Sequence, residues 1–410
     1  MHILFLTDNF PPEVNAPASR TFEHCREWVK AGHQVTVITG APNFPKGKVF
    51  DGFRNRLWQQ EMMAGIRVIR VWTYITANEG FAKRTLDYLS FMFTGFLSSL
   101  FVRRVDVVVG TSPQFFTVCS AYMTGLLKRV PWVFELRDIW PESIRVVGAI
   151  QQSKVLDLLE KAELFLYRKA SAIVSVTYAF RASLIRRGVN GDKIHVVTNG
   201  VDINHFSPRG KDAELLRKYD LQNKFVAGYI GTHGLAHALD TLLDAAKALK
   251  VAHDGDRFRI ILLGDGADKA TLFQRAQAER LDNVIFVDSV SKDQVVRYWS
   301  LLDVSIIHLK KDELFTTVIP SKLFECMGMA IPVLLGVEGE SAGIVECEGV
   351  GILFEPENSE ALVSGLLRLA DDAELLSRFQ VNGPMGAKHY DRSSLAAKML
   401  KILKQVAVQL

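Results

Sequence analysis

Cysteine is scarce in this 410-residue sequence, and the four present stand far apart: Cys25, Cys119, Cys326 and Cys347. No pair has the CxxC spacing of a redox or zinc centre, which argues against a disulfide scaffold and fits a reducing cytosol. Metal-ligand and triad patterns are missing as well. There is no HExxH and no His–Asp–Ser order, and of the ten histidines only His233 and His237 stand at ligand spacing, in a loop. Neither the lysine-bearing phosphate loop nor a complete G-x-G-x-x-G occurs. No basic run is interleaved with aromatics, so no nucleic-acid partner is expected. The opening apolar run, His2–Leu6, is too short for a secretory signal and reads as a first strand.

What the sequence has in quantity is short apolar runs. Hydrophobic residues make up 48% and charged residues 23%, a globular composition. The length favours two domains over one core. Val/Ile-rich candidate strands fall at Ile3–Thr7, Gln34–Thr39, Val68–Val71, Val105–Gly110, Trp132–Leu136, Ala172–Val176 and Ile194–Val197. The rhythm restarts at Phe225–Ile230, Phe258–Leu263, Val284–Val287, Val304–Ile307, Ile331–Leu335 and Gly351–Phe354. Unbroken apolar strands separated by charged helical segments predict two doubly wound α/β domains with parallel sheets. The turn-rich Asn199–Pro208 sets the expected division at 1–205 and 206–392. The amphipathic segment 393–410 is expected to pack back on the first domain or to touch membrane. A ligand crevice is expected between the domains, at the carboxyl ends of the strands.

The strongest single stretch is Thr317-Val-Ile-Pro-Ser-Lys-Leu-Phe-Glu-Cys-Met-Gly-Met-Ala-Ile-Pro-Val333. Ser321 is placed to cap a helix whose first turn suits a phosphate, Lys322 adds a cation, and Glu325 can accept two hydroxyl hydrogens from a ribose or sugar. An ordinary capped strand–loop–helix unit is the plainer reading. Gly228-Tyr-Ile-Gly-Thr-His-Gly234 and Gly264-Asp-Gly266 each follow a strand. Gly231 and Gly264 permit close backbone approach to a ligand, with Thr232 and His233 offering hydrogen bonds. In the first half, Phe10-Pro-Pro-Glu follows the first strand, with Arg20 in the next helix. Glu135, Arg137, Asp138 and Glu142 cluster at the end of another buried strand. Such charges are costly unless paired or functional: they read as a salt-bridge network or as groups holding an acceptor hydroxyl or a leaving diphosphate.

Charge is uneven. Residues 1–205 carry 25 Lys and Arg against 17 Asp and Glu, and the remainder is net acidic. Tyr88–Val102 has no charge, contains Phe91, Phe93 and Phe96, and is flanked by Lys83-Arg84 and Arg103-Arg104. It falls short of the ~20 residues that span a bilayer. A core helix or a helix lying on an anionic membrane are the two readings, and the basic flanks favour the membrane.

Together these features resemble the family 4 glycosyltransferases, retaining enzymes of the two-domain GT-B fold. The resemblance rests on Phe10-Pro-Pro-Glu13, Ala31–Thr39, Asn199-Gly-Val-Asp202, Gly231 with Leu239-Asp240, and Glu325 through Val333. Arg137-Asp-Ile-Trp-Pro141, Thr111-Ser-Pro113 and Pro320-Ser-Lys322 look like the bacterial surface-polysaccharide branch that transfers N-acetyl-L-fucosamine or a related amino sugar. The resemblance implies that Glu325 holds the donor ribose. The family's first glutamate would fall at Thr317, and its diphosphate-binding Arg and Lys at Thr232 and His237, so those charges are missing. Lys322, Arg20 or Arg137 are the candidates to replace them, Arg137 standing where the family often has a histidine.

The implied activity is transfer from a nucleotide sugar, with UDP as the expected base carrier, to a polyprenyl-diphosphate-linked saccharide, without a metal or other cofactor. The implied place is the inner face of the cytoplasmic membrane. A UDP-sugar 2-epimerase and a non-catalytic nucleotide-sugar-binding subunit are the competing readings. Oligomeric state is not encoded in any of these features.

Overall fold

The computed structural model describes residues 1–44, 47–76, 81–139, 154–251 and 255–408. Two units emerge. The first comprises Met1–Thr198 with Arg392–Leu410, and the second comprises Asn199–Asp391.

In the first unit, β1 (His2–Leu6), β2 (Gln34–Gly40), β3 (Trp58–Met63), β4 (Ile66–Val71), β5 (Val107–Thr111), β6 (Trp132–Leu136), β7 (Ala172–Ser175) and β8 (Ile194–Val196) form one sheet. The order is β3-β4-β2-β1-β5-β6-β7-β8, parallel except for β3, which runs against β4. The unbroken Val107-Val-Val run is buried throughout, because helices cover both faces of a doubly wound sheet. Leu4 and Leu6 pack toward Phe91, Phe115 and Val118 on one face. Ile3 and Phe5 pack toward Trp28, Leu395 and Met399 on the other.

The helix Arg392–Val408 thus belongs to this unit and lies against Ala16–Lys30, and the Trp28 indole N–H donates to the Ala396 carbonyl at 2.9 Å. Its lysines, Lys398, Lys401 and Lys404, point outward. The edge strand β3 was not among the expected strands: Trp-Gln-Gln-Glu-Met-Met alternates exposed and half-buried positions, so it lacks the apolar run that marked the others.

The second unit is a six-stranded parallel sheet of β9 (Phe225–Ile230), β10 (Phe258–Leu263), β11 (Val284–Val287), β12 (Val304–His308), β13 (Val333–Gly336) and β14 (Gly351–Leu353). Its order is β11-β10-β9-β12-β13-β14. The order reverses at β9 and β12, whose carboxyl ends therefore form a topological switch point, the usual ligand position in an open α/β sheet. Among the described residues no helix is long and apolar enough to cross a membrane.

Candidate functional site

At the switch point of the second unit, β9 runs into Gly231 and β10 into Gly264. The two loops continue the sheet ladder: Gly231 N–H donates to Leu263 O and His233 N–H to Asp265 O, both at 2.9 Å. Gly264 adopts φ 151°, and a Cβ there would stand 1.8 Å from the Gly231 carbonyl oxygen. Gly231, at φ 150°, faces Lys322, whose Nζ would be 2.7 Å from a Cβ. The glycines are therefore needed for contact between the two loops and for the lysine that enters beside them.

The Lys322 ammonium sits 3.6 Å from the centroid of the Tyr229 ring, in cation–π geometry. Tyr229 is held by its hydroxyl, which donates to Thr232 O at 2.8 Å. Burial pushes Lys322 down to about 7, and Cys326 and Glu325 only partly offset this. A cation kept largely out of water beside an open backbone loop is poised for an anionic ligand.

Histidines surround it in neutral form. Burial, Lys269 and Lys322 push His233 down to about 4, and burial and Lys322 push His237 to about 3. His308 accepts from Glu357 N–H at Nε2 and so donates from Nδ1 to His237 O, each at 2.8 Å. These bonds fix its tautomer and anchor the loop carrying His237.

Glu325 lies one turn beyond Lys322 in the helix Lys322–Gly328 and is half-buried. Ser321 does not cap this helix as expected. Its own backbone is already helical, at φ −58° and ψ −28°, and its hydroxyl makes no capping bond. Leu323 and Phe324 N–H groups donate instead to the Pro320 and Ser321 carbonyls. Thr317 ends a short 3-10 turn and donates its hydroxyl to Leu314 O at 2.7 Å, so a neutral, internally bonded group stands at that position. Thr232 is exposed beside Gly231.

The first unit has its own charged cluster. Arg20 is buried: Nε donates to Glu135 Oε1 at 2.9 Å, Nη1 to Thr198 O at 2.6 Å and Nη2 to Val197 O at 2.9 Å. This corrects the expectation that Arg20 holds the donor. Its guanidinium is occupied tying β6 to the chain beyond β8. Burial alone would raise Glu135, but Arg20 and Arg137 hold its carboxyl below the usual range.

Arg137 lies beside this pair, with one guanidinium nitrogen, Nη1, buried and without a hydrogen-bond partner among the described residues. Burial lowers Arg137 from its ordinary value, with Arg20 and Arg392 adding repulsion and Glu135 opposing. The turn it shares with Asp138 is fixed by Ser112, whose Oγ accepts from the Arg137 and Asp138 N–H groups at 2.8 and 3.3 Å. Glu142 lies outside the described residues.

Two carboxylates at the carboxyl end of β1 were missed in the sequence. Burial pushes Asp87 up to about 7, and burial together with Asp87 and Glu13 raises Asp8 well above its ordinary value. Only the position of Asp8 directly after a strand hinted at this.

Residues 15–200 match the glycosyl transferase 4-like domain, and residues 212–385 match the glycosyl transferases group 1 domain. The chain belongs to the glycosyltransferases. The Escherichia coli protein provisionally named colanic acid biosynthesis glycosyl transferase WcaI is 25% identical over 379 residues, covering 89% of this chain and 91% of its own. Sucrose-phosphate synthase from Thermosynechococcus elongatus has a similar fold, with a TM-score of 0.77 at 15% identity and full coverage of both chains. Anabaena HepE, solved in complex with UDP and glucose, gives 0.72 at 16% identity, covering 98% of this chain and 99% of that one. The fold of this glycosyltransferase is accordingly the GT-B type, two Rossmann-like α/β domains with parallel sheets.

In this glycosyltransferase the Phe-rich segment forms the helix Phe81–Leu100. Phe93 is 58% exposed, but Phe91 is fully buried against the sheet and Phe96 is half-buried. Phe91 is therefore a core residue and not a membrane contact. Arg103 and Arg104 are exposed.

The role found for Arg20 has a testable cost. Arg20→Met leaves Glu135 as a buried charge without its closest partner and frees two carbonyls, and is expected to destabilise the first unit by about 3–5 kcal/mol. Urea denaturation checks this, and Arg20→Met with Glu135→Leu should recover part of the loss.

Proposed function

We propose that this glycosyltransferase moves a sugar, of the N-acetylated amino or deoxyamino kind, from UDP to a polyprenyl-diphosphate-linked saccharide, with retention, in surface-polysaccharide assembly at the inner face of the cytoplasmic membrane. The observation that carries the reading is Lys322: a desolvated cation over Tyr229, against Gly231, one turn before Glu325. The naming of the Escherichia coli relative for colanic acid biosynthesis supports the pathway class, and UDP in the HepE structures supports the base.

The residues of the second unit supply what the reaction needs. Breaking the bond from sugar C1 to the diphosphate oxygen leaves negative charge on the diphosphate and positive charge on the ring. The Lys322 ammonium stabilises the diphosphate by preorganised electrostatics. Glu325 accepts the ribose hydroxyl hydrogens. The acceptor hydroxyl then forms the new C1–O bond on the face the diphosphate leaves, and its proton passes to the departing phosphate oxygen. Lys322 supplies the positive charge in this scheme, so chelation by EDTA is expected to leave turnover unchanged.

Because the free Lys322 ammonium titrates at about 7 and binds the diphosphate only when protonated, UDP binding above that pH takes up a proton. Affinity is expected to be highest between about pH 6 and 7, to fall by up to about tenfold per unit above that range, and to fall below it as the terminal phosphate of UDP takes up a proton. Calorimetry in buffers of different ionisation enthalpy reads the uptake directly. The activity itself is tested by incubating the enzyme with a panel of UDP-amino sugars, with and without lipid-linked saccharide. Release of UDP only in the presence of acceptor supports the reading. Conversion of the donor without acceptor would make the epimerase the better account.

A further inference from the structure

Three successive helix-to-strand turns of the first unit repeat one chemistry. The helix Phe81–Leu100 ends in exposed Leu97, Leu100 and Phe101, and Arg103-Arg104 follow before β5. The helix Phe115–Lys128 ends in exposed Leu126 and Leu127, and Lys128-Arg129 follow before β6. The helix Lys154–Lys169 exposes Phe165 in its last turn and closes on Arg168-Lys169 before β7. Strands β5, β6 and β7 are parallel neighbours, so these turns stand side by side at the amino-terminal edge of the sheet.

Hydrogen bonds join the turns to one another. Lys128 Nζ donates to Val102 O at 2.8 Å, bridging the first two. The Trp132 indole N–H donates to Lys169 O at 3.1 Å, bridging the second and third. Trp58 packs its ring edge on Phe101, extending the apolar surface over β3.

The charges on this edge are not neutralised from within. Arg103, Arg104, Arg129, Arg168 and Lys169 are exposed, and none of the salt bridges among the described residues includes them; the one carboxylate in these turns, Asp106, accepts from the His2 N–H at 2.6 Å. Its occupant must therefore be anionic and must also accept protruding leucine and phenylalanine side chains. A second copy seated on the same face by two-fold symmetry would oppose like charges. Nucleic acid would answer the charge, but it would leave the exposed side chains of Leu97, Leu100, Leu126 and Leu127 without an apolar partner. A bilayer with anionic headgroups meets both requirements: headgroups for the basic pairs, acyl chains for the tips.

We propose that this edge of the first unit, built from the three basic-apolar turns, is the surface through which the enzyme docks on anionic membrane. The inference rests on the reading that the acceptor is lipid-borne, and it moves the contact from the buried Phe91 to Leu97, Phe101 and the turns beside them.

The test is cosedimentation of the full chain with phosphatidylglycerol–phosphatidylcholine vesicles and with pure phosphatidylcholine vesicles. Arg103→Glu with Arg104→Glu is expected to weaken binding to the anionic vesicles by about tenfold or more. Arg168→Glu with Lys169→Glu, on a different turn, should do the same, and Leu126→Ser with Leu127→Ser should remove the part that resists salt. Val251→Ser, an exposed apolar residue of the second unit, should change nothing. Equal binding by wild type and the charge-reversed forms, or no preference for anionic vesicles, overturns the proposal. So does a change in the sedimentation mass of the protein alone, which would assign the face to self-association. UDP affinity measured on the same samples separates the two readings: its absence in the wild type strikes the donor site and leaves the vesicle result standing.

Discussion

Lys322→Ala is expected to lower kcat/KM by about 10²- to 10³-fold, the scale seen when one preorganised electrostatic contact to developing charge is removed. The position explains the size. The ammonium lies on the Tyr229 face and beside Gly231, where burial weakens its hydration. The same substitution is expected to raise stability. Burial depresses Lys322 to about 7, well below its unfolded value, so keeping it charged in the fold costs free energy. That cost is full below pH 7 and disappears as pH rises toward the unfolded pKa near ~10.4. The alanine variant should therefore melt above wild type at pH 6, with the gap closing by pH 10. Lower activity with a higher Tm separates loss of a ligand contact from loss of fold. A drop in both would mean that Lys322 supports the structure instead.

Gly264→Ala should be among the most damaging single methyl additions to the second unit. The position has φ 151°, and the new Cβ would lie 1.8 Å from the Gly231 carbonyl oxygen, which is backbone and cannot swing aside. The β9 and β10 loops would have to separate, breaking the bonds from Gly231 N–H to Leu263 O and from His233 N–H to Asp265 O. A destabilisation of roughly 4 kcal/mol or more is expected, in the range of backbone strain joined to overpacking. Gly210→Ala serves as the matched control: nothing lies within 4 Å of its added Cβ, and it should change stability by no more than about 0.5 kcal/mol. Limited proteolysis and thermal melts distinguish the two variants. A Gly264→Ala protein as stable as wild type would show that the two loops are not packed as described.

The sheets were legible because strands buried on both faces must be continuous apolar runs, and Val107-Val-Val or Phe258–Leu263 cannot easily be anything else. The glycines at 231 and 264 were legible for a related reason, since a strand ending in glycine invites close backbone contact. Direction was harder to read. The helix Phe81–Leu100 carries apolar residues on nearly every side, so nothing in its sequence separates buried Phe91 from exposed Phe93 two positions on. Arg20 showed its charge but not its partners, because Glu135 and the Val197 and Thr198 carbonyls lie more than a hundred residues away. The support beneath Lys322 leaves no mark in the sequence: Tyr229 reads as one more strand residue, and the tautomer of His308 depends on two backbone groups that only the fold brings to it.

Binding of a nucleoside diphosphate by the second unit through Lys322 and Glu325 is read out by calorimetric titration of the full chain with UDP, GDP, dTDP and CMP, alongside Lys322→Ala and Glu325→Ala. Binding selective for UDP in the wild type, weakened in both variants and unchanged by Val251→Ser, is the expected result. Wild-type affinity for UDP in both Lys322→Ala and Glu325→Ala, or no nucleotide binding by the folded protein, would contradict the assignment.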